Sequence, residues 1–148
     1  MQEAVKEAEK GLKKNHGGPF GAVIVKDNKI ISKAHNEVFK NDPTAHAEME
    51  AIRKASKKLK TFNLKDCILY TSCEPCPMCL VAAYWANIKL SYYGCSSEDA
   101  EKIGFNDKSF YSILKGKLKP KTKQIQIDQS KCLIPFNKWK DKKDKVMY

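Results

Sequence analysis

Arginine is all but missing from this chain. Of 28 basic residues in 148, Arg53 is the only arginine, and lysine carries the rest of a formal net charge of +11. A guanidinium fork reads bases and clamps phosphates bidentately, whereas lysine offers a hydrated point charge. Specific nucleic-acid readout is therefore poorly provided for. The lysines read as a solvated surface, and nucleic acid stays an unfavoured partner limited to weak, salt-sensitive phosphate contacts. Long apolar runs are missing as well: no stretch reaches the length of a membrane span. The opening Met1-Gln2-Glu3-Ala4-Val5-Lys6 is charged where a secretory signal would be apolar. There is no internal repeat and no low-complexity linker. The expectation is a single domain over residues 1–148, cytoplasmic and without membrane attachment.

Six cysteines are present, yet they do not read as a disulfide framework. Cys73, Cys76 and Cys79 crowd into one short segment, which suits a metal better than separate bridges. Cys67, Cys95 and Cys132 lie in or beside apolar stretches, where a free thiol behaves as a small hydrophobe. The apolar content of 42% is too high for a disordered chain.

Hydrophobic patterning predicts an α/β order. Residues 1–14 read as an amphipathic helix with Val5, Ala8 and Leu12 on one face, stopped by Asn15-His16-Gly17-Gly18-Pro19. Phe20 to Val25 is a continuous apolar run, as in a strand buried on both faces. Asp27-Asn28 turns it into a second strand over 29–34. A helix follows over 46–59, a strand over 66–71, a helix from Cys76 to Trp85 or Ala86 with Pro77 at its first position, and a strand over 88–93. The later strands should be parallel. Beyond them lie a short helix over 97–103, an exposed lysine-rich stretch over 115–123, and a closing helix over 134–147 with Phe136, Trp139 and Val146 apolar.

Two segments carry chemistry: His46-Ala47-Glu48 and Cys76-Pro77-Met78-Cys79. One imidazole and two thiolates can hold a zinc ion and leave its fourth tetrahedral position open to water. An open position beside a proton-carrying carboxylate, Glu48, is the apparatus of metal-assisted hydrolysis. Both segments fall at predicted helix starts, where the helix dipole favours thiolate over thiol. Cys76 and Cys79 share one helical face. His46 and Glu48 resist this geometry, because residues two apart on a regular helix point in nearly opposite directions. Cys73 leaves three readings open. The trio His46, Cys76 and Cys79 could bind a catalytic zinc, Cys73 could join them and close an inert structural site, or one cysteine pair could be a redox disulfide. Only the first gives Glu48 a role.

The sequence further resembles the bacterial-type guanine deaminases of the cytidine deaminase-like superfamily. The resemblance rests on residues 17–25 (Gly-Gly-Pro-Phe-Gly-Ala-Val-Ile-Val), 41–48 (Asn-Asp-Pro-Thr-Ala-His-Ala-Glu), 67–79 (Cys-Ile-Leu-Tyr-Thr-Ser-Cys-Glu-Pro-Cys-Pro-Met-Cys) and 84–86 (Tyr-Trp-Ala). Gly104-Phe105-Asn106-Asp107 and the terminal Tyr148 narrow it from the superfamily to that family. It implies a three-layer α/β/α fold around a mixed sheet and hydrolysis of guanine to xanthine and ammonia. A zinc-bound hydroxide attacks, with Glu48 as the proton shuttle. It implies zinc on His46, Cys76 and Cys79, a small purine base as substrate, and a homodimer that exchanges its C-terminal segments, here about residues 133–148. It also implies that Asn36 hydrogen-bonds the purine, Asp107 reads its N–H edge, Phe20 and Trp85 form apolar walls beside His46, and Tyr148 caps the pocket. Each has a plain structural counterpart: core for Phe20, packing for Trp85, a turn for Asn36, a helix cap for Asp107, a disordered end for Tyr148. His16 and His35 read as structural or solvent-facing. Two rivals share the motif: a tRNA adenosine deaminase, and a non-catalytic zinc module that binds nucleic acid.

Overall fold

The apolar run at residues 20–25 becomes the second strand in from one edge of a four-stranded sheet. In the computed structural model, which describes residues 1–146, β1 (Gly21–Lys26) has its first four residues buried. It is flanked by two antiparallel neighbours, β2 (Lys29–His35) and β3 (Ile68–Cys73). Asp27 and Asn28 both adopt positive φ in the hairpin turn, the conformation that matches the twist of a tight β1–β2 connection. β3 pairs in parallel with β4 (Leu90–Cys95), so the order is β2-β1-β3-β4 and the sheet is mixed.

Side-chain alternation along β1 feeds two helical layers. Ala22 and Ile24 join a buried cluster with Ala47, Ala51 and Ala55 of α2 (Ala47–Leu59) and Ala83 of α3 (Pro77–Trp85). Gly21 faces α1 (Gln2–Lys13); a Cβ there would lie 2.0 Å from the Ala4 carbonyl oxygen, so only glycine lets this helix lie on the strand. The inward stripe of α1 is Ala4, Glu7, Ala8 and Gly11, while Val5 and Leu12 are exposed. This corrects the expected face. The helix is rolled so that small residues meet the sheet and the Glu7 carboxylate meets His35 of β2.

The ends of α2 and α3 decide the site. His46 is the N-cap of α2 and Cys76 the N-cap of α3; both have extended backbone, with Pro77 at the first helical position of α3. His46 therefore stands outside the helix that carries Glu48. That removes the conflict of two residues pointing apart, and both can face one cavity.

After β4 come α4 (Ser97–Lys102), capped reciprocally by Ser96 and Asp99, and α5 (Asp107–Leu114), capped by Asn106. The lysine-rich stretch is irregular and exposed, as expected. The last helix is α6 (Gln129–Asp141), five residues earlier than the expected start and with Pro135 inside it; Val146 lies beyond its end. An interior proline removes one backbone hydrogen bond, so Pro135 interrupts the bonding of this helix without ending it. Cys67 is buried as anticipated, but Cys95 and Cys132 are exposed. Every described residue from Leu114 to Val146 is exposed. No helix among the described residues is long and apolar enough to cross a membrane.

Candidate active site

The two N-caps bring three donor atoms together. The His46 Nδ1 lies 3.6 Å from the Cys76 Sγ and 3.6 Å from the Cys79 Sγ. A tetrahedral zinc with Zn–S near 2.3 Å and Zn–N near 2.0–2.1 Å separates its N and S ligands by roughly 3.5–3.6 Å. The trio thus fits zinc in donor chemistry and in spacing, and it is one of two such groups among the described residues.

Electrostatics favour the same assignment. Cys76 is held down, to about 4, chiefly because the Cys79 thiol donates to its sulfur; His46 also lowers it. Cys79 is pushed up by giving that hydrogen bond and by burial. His46 is raised, mainly by its hydrogen bond to Cys76. One proton shared between paired sulfurs is what a cation at their junction would displace.

Cys73 does not belong to the trio. Its Sγ donates to the Ser96 carbonyl at 3.6 Å, and burial pushes its thiol up to about 11. A neutral thiol turned towards a carbonyl does not close the fourth position, so the closed structural reading fails. The redox reading leaves His46, whose Nδ1 stands 3.6 Å from the Cys76 and Cys79 sulfurs, without a role.

Glu48 sits beside the sulfurs, 5% exposed. Its Oε1 accepts from Thr71 Oγ1 at 3.2 Å and its Oε2 from Cys79 Sγ at 3.5 Å. Desolvation pushes its carboxyl above the usual range, which suits a group that must hold a proton during a reaction cycle. The segment bearing Cys76 is tied down on both sides. Tyr111 donates its hydroxyl proton to the Pro75 carbonyl at 3.0 Å, and Glu74 accepts from the Ser97 N–H at 3.0 Å.

The cavity over this group is lined by Phe20, Asn36, His46, Glu48, Cys76 and Asp107, together with Gly18, Val38, Phe39, Pro43, Cys73, Glu74 and Phe105. Four of the expected substrate residues, Phe20, Asn36, His46 and Asp107, are therefore gathered here. Asn36 is 3% exposed, and its Oδ1 accepts from the Val38 N–H at 3.1 Å. A Cβ at Gly17 would fall 2.0 Å from that oxygen, so the glycine is needed for Asn36 to sit where it does. Burial raises the Asp107 carboxyl. Asn106, not Asp107, caps α5, which leaves the Asp107 side chain for the cavity.

Trp85 stands apart from this group. It stands 55% exposed at the far end of α3 and does not line the cavity. Eight residue steps beyond the helix start at Pro77, it lies about 12 Å along the axis from the end that bears the cysteines. Tyr148 lies outside the described residues. Phe105, which the sequence offers only as part of a motif, meets Phe20 edge-to-face with ring centroids 4.8 Å apart. An aromatic two residues before Asp107 was the available signal. Val38, Phe39 and Pro43 carried none, because loop residues acquire a common wall only through the fold.

Comparisons with known proteins agree with this geometry. Residues 1–95 match the cytidine and deoxycytidylate deaminase zinc-binding region. The guanine deaminase of Bacillus subtilis is 47% identical over 150 residues, covering 100% of this chain and 96% of that protein. Its X-ray structure superposes with a TM-score of 0.91 over 99% of this chain and 95% of that one. A tRNA-specific adenosine deaminase of Buchnera aphidicola is 38% identical, covering 81% of this chain and 80% of that protein. A guanine deaminase structure from Nitrosomonas europaea gives 30% identity and a TM-score of 0.67, covering 72% of this chain and 62% of that one. With its histidine and two cysteines set at ligand spacing, the chain belongs to the zinc-binding cytidine and deoxycytidylate deaminase family.

Proposed function

We propose that this protein hydrolyses guanine to xanthine and ammonia. The carrying observation is the convergence of His46, Cys76 and Cys79 on one point beside the buried Glu48, at the base of a cavity walled by Phe20 and Phe105. Full-length similarity to a guanine deaminase supports the choice of base. His46, Cys76 and Cys79 would hold the zinc, which supplies a nucleophilic water near neutral pH when bound.

The chain's own residues do the rest. Thr71 fixes Oε1 of Glu48. Oε2 is freed once Cys79 is a thiolate, and it takes a proton from the water that attacks C2 of guanine. Glu48 passes that proton to the ring nitrogen, then takes the second proton from the hydroxyl added at C2 and delivers it to the amine, which leaves as ammonia as the C2 carbonyl of xanthine forms. Asn36 has its oxygen engaged by backbone, so it offers its N–H2 to a purine acceptor. Asp107 accepts from the N–H edge of guanine, which adenine lacks. Apolar rings at Phe20 and Phe105 hold the flat base and exclude water.

The protein is further inferred to act as a homodimer. Ile125, Ile127, Ile134 and Phe136 of the C-terminal arm are each more than half exposed, and so are Tyr84 and Tyr93 on α3 and β4. A second copy that lays its arm on this face would cover both surfaces. Free thiols throughout support a reducing, cytoplasmic setting, and the product places the reaction in purine breakdown.

The test is a side-by-side assay of the zinc-loaded protein. Guanine should give xanthine and ammonia at least a hundredfold faster than a tRNA anticodon loop gives inosine. Inosine formation without turnover of guanine would overturn the reading in favour of a tRNA adenosine deaminase. Salt-dependent RNA binding with no turnover of either would point to a non-catalytic module.

A further inference from the structure

A second group of metal-type donors lies outside the trio. It joins the loop after α1 to the end of β2. His16 Nδ1 stands 3.0 Å from His35 Nε2, His35 Nε2 stands 3.4 Å from Glu37 Oε1, and His16 Nδ1 stands 3.6 Å from that same oxygen. Donors about 2.0–2.2 Å from a four-coordinate ion stand roughly 3.3–3.5 Å apart. The His35–Glu37 separation falls in that range, the His16–Glu37 separation lies just above it, and the two hydrogen-bonded imidazoles need to part by a few tenths of an ångström to admit an ion. Among the described residues these are the two groups with ligand atoms so placed.

We propose that His16, His35 and Glu37 form a second metal site, which takes a divalent transition ion of the zinc, cobalt or nickel class. Two imidazoles and one carboxylate suit such ions and disfavour magnesium or calcium, which prefer oxygen throughout.

The surroundings are built for it. His35 Nδ1 lies 3.0 Å from Glu7 Oε2, and both side chains are nearly enclosed, at 6% and 8% exposure. A carboxylate on Nδ1 keeps the proton there and leaves the Nε2 lone pair for an ion, the outer-shell arrangement of metal-bound histidine. It also explains why α1 turns a glutamate inward, which no part of the proposed reaction uses. His16 and Glu37 are 21% exposed, so an ion can reach the site and water can supply the fourth ligand. Binding needs no net proton release: His16 moves its proton from Nδ1 to Nε2 as Nδ1 takes the ion. Lys40 now holds Glu37 Oε1 at 3.0 Å, but its side chain is half exposed and can swing into solvent.

Occupancy would have a structural consequence. His35 and Glu37 flank Asn36, and His16 precedes the Gly17-Gly18 segment that packs against it. An ion here pins two stretches of chain, which bring Gly18 and Asn36 to the cavity wall. The site itself does not depend on which base the enzyme uses.

The experiment uses tag-free protein carrying its first equivalent of zinc, titrated with cobalt and, separately, with zinc. The expected result is a second equivalent per chain. Its cobalt spectrum shows d–d bands without the thiolate charge-transfer absorption of a cysteine-bound ion, and the melting temperature rises. His16→Gln and, as a second variant that preserves side-chain shape, Glu37→Gln should each weaken the second equivalent at least tenfold while retaining the first. Two results overturn the proposal. One is a ratio that stays at one metal per chain. The other is a second equivalent that binds both variants as tightly as the parent, which assigns it to exposed thiols and leaves His16 and His35 a hydrogen-bonded pair only.

Discussion

Glu48 and Cys73 show how one side chain's surroundings fix its use. Both lie beside the trio, yet Glu48 is turned to the sulfurs and Cys73 to the Ser96 carbonyl. Cys73→Ser should therefore keep one zinc per chain and lower kcat by less than about fivefold, since a lone buried hydrogen bond to a carbonyl contributes only about 1 kcal/mol; metal analysis with turnover checks this. Thr71→Val leaves Glu48 Oε1 without its donor, and the expected outcome is a fall in kcat with zinc content unchanged. The ligands and Glu48 were legible in the sequence because their spacing is fixed by local geometry at two helix starts. Asn36 and Phe20 were legible only through resemblance. Trp85 stands away from the others because the rise of α3 carries its last residue away from the cavity of its own chain.

Elements were legible where side-chain periodicity had one interpretation. β1, β2, α2 and α3 fall where apolar patterning and turn residues put them. α1 was found, but its face was not, because Val5 and Leu12 outweigh three small residues and an inward glutamate on any hydropathy scale. Packing of Ala4, Ala8 and Gly11 decides the matter instead. Two predictions belong here. Leu69 of β3 is fully buried in the core cluster, so Leu69→Ala should cost about 2–5 kcal/mol in denaturant unfolding. Glu3 of α1 bonds Lys6 and also reaches Lys33 of β2 at 2.9 Å, and these lysines hold its carboxyl down from 4.5 to about 2. A lowered carboxyl pKa contributes stability above pH 4.5 that fades as the pH falls towards 2. The melting temperatures of parent and Glu3→Gln should therefore differ at neutral pH and converge across that window. A constant gap would mean that the contact with Lys33 does not titrate.

The whole molecule has two parts: a three-layer body whose cavity is set by N-caps, and an arm from Leu114 onward that its own chain does not cover. Nothing in local periodicity distinguishes an exposed apolar helix from one that closes on its own chain, and the apolar residues Phe136, Trp139 and Val146 set the expected helix over 134–147, later than the observed α6. If the arm docks on a second copy, light scattering should give a dimer, and truncation after residue 128 should give a monomer with the body still folded. A dimer unaffected by truncation would locate the interface elsewhere. The central claim concerns the body: zinc held by three side chains, with Glu48 moving the protons. It is tested most directly by ammonia release from guanine for the parent and for Glu48→Gln at equal zinc content. The account predicts one zinc per chain in both and a loss of at least about 10²-fold in kcat for the variant. Near-parental turnover by Glu48→Gln with zinc in place would contradict it.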